Sequence, residues 1–158
     1  MKKKGSSQKK QNLTQTTGFT LWQVCNLWQR ELRKALLPLD LTHAQYLLLQ
    51  SACELSNGED DITQIKLAQD TNTDKMMVSK VLRTLETKKL LKRADLKTDN
   101  RAKKITVTPK GIEMYEKAKV VVEAFEAEFF LPAAKNEKAL TKALGKLLKN
   151  QPEVEDTK

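Results

Sequence analysis

Histidine occurs once, at His43, cysteine twice, at Cys25 and Cys53, and glycine only five times in 158 residues. Each shortage removes a class of function. A lone histidine and two distant cysteines match no zinc spacing such as CxxC and build no disulfide scaffold. The few glycines form no phosphate-cradling loop, and neither HExxH nor another catalytic signature is present. No stretch approaches the roughly 20 apolar residues of a membrane span, and the N-terminal lysines precede no apolar signal core. The expectation is a soluble, cytoplasmic protein that is not an enzyme, uses no cofactor or metal and enters no membrane.

Positive charge is abundant and unevenly spread. The chain carries +9, with 29 Lys and Arg against 20 Asp and Glu. Residues 1–10 contain five lysines and no acid, whereas residues 11–60 are net −2. Residues 61–120 hold 15 basic against 8 acidic side chains, and the remainder is net −1. A basic surface confined to the middle third suits a polyanion, because each ammonium or guanidinium on a phosphate releases a condensed counterion. A lysine-rich solubilising surface would show the same composition.

Hydrophobic periodicity supplies the architecture. Leu21, Val24, Trp28, Leu32 and Leu36 repeat at threes and fours and predict a helix over Phe19–Leu37, ended near Pro38. Thr42 and Gln45 form a capping box, with Leu41 placed to staple onto Tyr46, so a second helix runs to about Leu55. Asn57, Gly58, Glu59 and Asp60 break it, Asn and Gly being tolerant of positive φ. Two short helices follow, about Thr63–Asp70 and Thr73–Thr87, parted only by Thr71 and Asn72 in a helix-turn-helix rhythm. Ala68 permits a close helix crossing, Asn72 suits the left-handed turn residue, and Val78, Leu82 and Leu85 face inward.

Strands are expected over Leu90–Ala94 and Lys103–Thr108, with a polar turn from Asp95 to Arg101 between them. A two-stranded wing after a helix-turn-helix is the winged-helix arrangement. Thr108 then caps, and Pro109 opens, a long helix carrying Ile112, Tyr115, Ala118, Val122, Phe125 and Phe129, which ends at Pro132. A last helix carries Leu140, Leu144, Leu147 and Leu148. The fold class is therefore mainly α with a two-stranded β wing. The division expected is a flexible basic arm over 1–16, one domain over 17–150 and a polar tail over 151–158. Within the domain, a DNA-binding lobe covers about 42–110, flanked by dimerisation helices at about 17–37 and 109–150. The first and last helices hold more apolar periodicity than a compact winged helix covers, which predicts a homodimer.

Over roughly Phe19–Leu148 this order of elements resembles the MarR family of bacterial transcription regulators. The most specific stretch is Asp99-Asn100-Arg101 followed by Ile105-Thr106-Val107-Thr108-Pro109-Lys110-Gly111, similar to the family's D-x-R turn and T-x-x-G strand exit. Val78-Ser79-Lys80-Val81-Leu82-Arg83-Thr84-Leu85-Glu86 is similar to its recognition helix. The resemblance implies a homodimeric repressor whose two lobes reach successive major grooves of a pseudo-palindromic double-stranded DNA operator, with a crevice for a small-molecule effector. Peroxide-sensing members place a cysteine near the start of the first helix. Cys25 lies later, so redox sensing is not implied.

Lys75, Met76, Ser79, Lys80 and Arg83 form the groove-facing side of the recognition helix on this reading, and a solvated helix face on the plainer one. In the wing, Lys97, Thr98, Asp99, Arg101 and Lys103 join the DNA-binding set. Arg101 is placed to enter a minor groove while Asp99 holds its guanidinium, or the two form an ordinary surface pair. Trp22, Trp28 and Tyr46 combine apolar area with a hydrogen-bonding atom, as effector-binding residues do, and dimer-core packing uses the same residues. Two other classes remain: a winged-helix protein-interaction module, and a thiol-based sensor using Cys25 or Cys53.

Overall fold

The computed structural model describes residues 16–58, 61–96 and 99–149, with residue 96 and residues 99–102 described as backbone only. The expected basic arm, but for Thr16, and the polar tail lie outside the described residues. The element order is α1 (Thr17–Leu36), a 3-10 turn (Leu37–Leu39), α2 (His43–Leu55), α3 (Gln64–Asp70), α4 (Lys75–Thr87), β1 (Leu91–Leu96), β2 (Asp99–Val107), α5 (Pro109–Phe130), a second 3-10 turn (Leu131–Asn136) and α6 (Glu137–Lys149).

Helix starts follow from side chains that satisfy amide groups left without a carbonyl partner. Thr16 accepts from the Phe19 amide at 3.2 Å, and Thr63 from the Lys66 amide at 3.2 Å. Thr42 and Gln45 exchange both bonds of the capping box, each 3.2 Å long. At α5, Thr108 Oγ1 accepts from the Gly111 amide at 3.0 Å, while Pro109 has no amide to satisfy.

The first compact unit ends at Val122. Its core joins Leu32 and Leu36 of α1, Leu48 and Leu49 of α2, Leu67 of α3, Val78, Leu82 and Leu85 of α4, Leu90, Leu91 and Ile105 at the wing base, and Ala118 of α5. Side chains of this size contribute about 1.5–3 kcal/mol each when fully buried, so most of the unit's stability resides in this cluster. The second unit begins at Glu123. There Phe125 and Phe129 lie 5.5 Å apart, and α6 buries none of its residues.

Two expectations are corrected. The hairpin ladder runs further than its charge suggests: Asp95 pairs with Lys103 and Leu96 with Asp99, with a register shift between the two pairs. Asp99, Asn100 and Arg101 are therefore strand residues, since a solvated two-stranded ribbon has no buried face to exclude polar side chains. The break after α2 uses no left-handed residue at Asn57 or Gly58; the chain leaves through Ser56 at φ −67°. Helix α1 buries only its C-terminal half. Leu32 and Leu36 are inside, while Leu21, Trp22, Val24 and Leu27 are exposed, Trp22 by 62%.

Candidate nucleic-acid interface

The helix-turn-helix is built from its turn outward. Asn72 takes φ 47°, and the Thr73 amide returns to the Ala68 carbonyl at 2.9 Å. Asp74 caps α4 by accepting from the Met76 and Met77 amides at 2.9 and 3.0 Å. Gln64, the first residue of α3, donates through Nε2 to the Lys75 carbonyl at 3.1 Å, fixing the angle between the helices. Every third or fourth residue of α4 then enters the core at Val78, Leu82 and Leu85, all fully buried. Lys75, Met76, Lys80 and Arg83 are exposed on the remaining surface and Ser79 is half-buried beside them. Met76, 82% exposed, is an apolar side chain standing in a cationic row.

The wing is anchored at its base. The Ile105 amide donates to the Ile62 carbonyl at 2.8 Å, and Thr63 forms an isolated bridge with Lys104, so the chain entering α3 acts as a short third strand. Lys104 pairs with Asp61 and Lys103 with Asp95, which fixes two wing lysines against carboxylates. The predicted Lys97 and Thr98 lie outside the described residues, as do the side chains of Asp99 and Arg101.

Recognition helix and wing are also tied directly, by a pair the sequence reading missed. The Glu86 carboxylate accepts from Arg93 Nε at 2.8 Å, from its backbone amide at 3.3 Å and from its second guanidinium nitrogen. Those bonds hold the Glu86 carboxyl below the usual carboxylate range. No spacing rule points to it, because the chain between Glu86 and Arg93 leaves a helix and enters a strand.

The aromatic candidates sit in different surroundings. Trp22 stacks on Phe19 at 5.8 Å near the exposed start of α1. Trp28 meets His43 edge-on at 4.9 Å, and burial lowers the imidazole pKa from its ordinary 6.5. Tyr46 is buried and stacks on Tyr115 at 6.3 Å. A cavity beside His43, lined also by Leu47, Leu48, Thr73 and Met77, measures about 60 Å³. Pockets that hold drug-sized ligands measure roughly 300–1,000 Å³. Cys25 and Cys53 are both free thiols. Burial, reinforced by Glu116 and Glu54, pushes the Cys53 thiol up to about 11, so it is not a thiolate at neutral pH.

The MarR family model matches residues 41–103, from the corner before α2 into β2. The chain is 40% identical over 134 residues to an uncharacterized HTH-type transcriptional regulator, YdcH, of Bacillus subtilis (strain 168), covering 85% of this chain and 90% of that one. The chain belongs to the MarR family. Among solved structures, it resembles CouR from Rhodococcus jostii RHA1 bound to p-coumaroyl-CoA, with 25% identity, a TM-score of 0.74 and coverage of 92% of this chain and 99% of CouR. It also resembles S. aureus MepR in a DNA complex, with 26% identity, a TM-score of 0.76 and coverage of 86% and 98%. The family model spans the winged helix-turn-helix of this MarR-family chain, and the family and its relatives are transcription regulators.

Proposed function

We propose that this MarR-family chain is a homodimeric, sequence-specific regulator of transcription that binds double-stranded DNA in the cytoplasm and represses until a small molecule releases it. The carrying observation is α4: one face is fully buried, and the other presents Lys75, Met76, Lys80 and Arg83 outward beside a basic wing. On this reading the residues near the start of α4 reach base edges and Arg83 reaches phosphate. Lys97, Thr98, Asp99, Arg101 and Lys103 serve the wing, Arg101 as the minor-groove side chain. Trp22, Trp28 and Tyr46 serve the effector. MepR in a DNA complex and CouR bound to a coenzyme A thioester are the relatives that support the two halves of the proposal.

Dimerisation is supported by what a single chain leaves uncovered. Leu21, Trp22, Val24 and Leu27 on α1 are exposed, and so are Leu140, Leu144, Leu147 and Leu148 on α6. Apolar surface on this scale belongs in an interface. The domain division follows, with residues 42–110 reading DNA and the flanking helices pairing the chains.

Selection of bound sites from random duplex, combined with sedimentation, tests the proposal. The expected result is a two-fold symmetric site with half-sites about 10 bp apart, bound by a species of twice 18.0 kDa. Affinity for it should fall by roughly 10³–10⁵ between about 50 and 200 mM salt. Enrichment of no sequence, together with salt-insensitive binding, would leave a protein-interaction module instead.

A further inference from the structure

The end of the recognition helix is held by a lysine whose ammonium faces the corner between α1 and α2. Lys88, the C-cap residue of α4, donates to the Asp40 carbonyl, meets the Asp40 carboxylate at 3.0 Å and donates to Gln45 Oε1 at 3.3 Å. Three acceptors thus face the three ammonium hydrogens. The Lys88 side chain is only 24% exposed, whereas the Asp40 side chain is 92% exposed. The sheltered part of the contact is therefore the Gln45 amide oxygen, which water competes for least.

Both acceptor residues belong to the corner between α1 and α2. Asp40 closes the 3-10 turn after α1 in a left-handed conformation at φ 51°. Gln45 is buried, and the same Oε1 receives the Thr42 amide in the capping box of α2. On the other side, Lys110 donates to the Lys88 carbonyl at 3.0 Å and Thr108 Oγ1 to the Lys89 carbonyl at 2.8 Å. The last turn of α4 is thus clamped between the start of α2 and the start of α5.

We propose that Lys88 is a positioning residue: it ties the α1–α2 corner to the recognition helix and sets the angle at which α4 is presented to DNA. The inference rests on the DNA-binding reading above. Lys88 itself touches no DNA, and movement at the end of α1 reaches α4 through it.

The test uses the full-length protein and the duplex it selects. Lys88→Met keeps the aliphatic stem and removes the ammonium; its affinity for the selected duplex should fall by about 3- to 30-fold, the range typical of residues that couple elements without touching ligand. Binding to unselected duplex should not change. Salt dependence should keep its slope, whereas loss of a phosphate contact would reduce that slope by about one. Lys88→Arg should restore most of the affinity, Asp40→Asn should give a smaller loss, and the double variant should be no weaker than Lys88→Met.

A reduced slope, or wild-type affinity in folded Lys88→Met, overturns the proposal. Amide exchange gives a second readout that needs no DNA. The Lys88, Lys89 and Leu90 amides bond back to Thr84, Glu86 and Leu85, and in Asp40→Asn and Lys88→Met they should exchange at least about threefold faster. Unchanged protection overturns the tether even if the wild type selects no duplex, which would itself refute only the DNA-binding reading.

Discussion

Replacing Gly111 by alanine should destabilise this protein, although alanine is the better helix former. A Cβ at Gly111 would lie 2.0 Å from the Leu90 carbonyl oxygen, 2.9 Å from its carbon and 2.8 Å from Val107 Cγ1. Relief requires a backbone movement of more than about 1 Å, since non-bonded heavy atoms settle at about 3.5 Å. The carbonyl is not free to move, because it accepts from the Thr108 amide at 3.1 Å, and the Gly111 amide is itself bound to Thr108 Oγ1 at 3.0 Å. Overpacking costs about 1–3 kcal/mol and each displaced hydrogen bond about 0.5–1.5 kcal/mol, while the helix gains about 1 kcal/mol from alanine. The balance is a loss of about 3 kcal/mol. Urea unfolding at one fixed protein concentration should show it as a lower midpoint, and heating as a Tm lower by about 6–12 °C. A midpoint equal to or above that of the wild type would show that α5 and the wing base do not meet as closely as described.

Lys89 occupies a left-handed conformation at φ 61°, so Lys89→Gly should stabilise by about 0.5–1 kcal/mol and Lys89→Val should destabilise; the same urea series checks both. Because Arg93 holds Glu86 below its ordinary value of 4.5, that pair's contribution is complete above pH about 4.5 and is lost as pH falls through the lower folded value. Glu86→Gln should therefore be less stable than wild type at neutral pH and should show a flatter acid limb, and parallel curves would count against the pair. Burial of neutral His43 works in the other window: stability is complete above about 6.5 and declines as pH falls toward the depressed folded value. His43→Gln should remove that decline between pH 7 and 5, read by urea midpoints at each pH.

Elements whose cause lies within a few residues were legible in the sequence. The capping box at Thr42 and Gln45, the Thr108–Pro109 helix start, the left-handed Asn72 and the buried trio Val78, Leu82 and Leu85 all follow local rules, and all are present. The left-handed residues Asp40 and Lys89 were not legible. Lysine carries no preference for that conformation, and Asn57 and Gly58, which do, use none of it. Within the candidate interface, the α4 face could be read from periodicity because its opposite face is core. The contacts that aim it could not. Lys88 reaches partners 43 and 48 residues away, and no spacing in one sequence encodes such a pairing.

The cap of the recognition helix carries a consequence for how DNA is searched. Asp74 spends one carboxylate oxygen on the Met76 and Met77 amides, so the start of α4 is closed by a negative charge. A helix start left open would welcome any backbone phosphate, and so would hold equally to every sequence. Here that contact is occupied and repelled, and the helix gains little by resting on the sugar-phosphate rail. On the proposed DNA-binding reading, attraction is left to the lysines and Arg83 along its flank, which would be rewarded in full only when the helix sits deep enough for its first turn to meet matching bases. Discrimination of this kind arises from weakening the wrong complex more than from strengthening the right one. On the same reading it would shorten the time spent on each incorrect site, favouring rapid scanning of a long genome over tight retention.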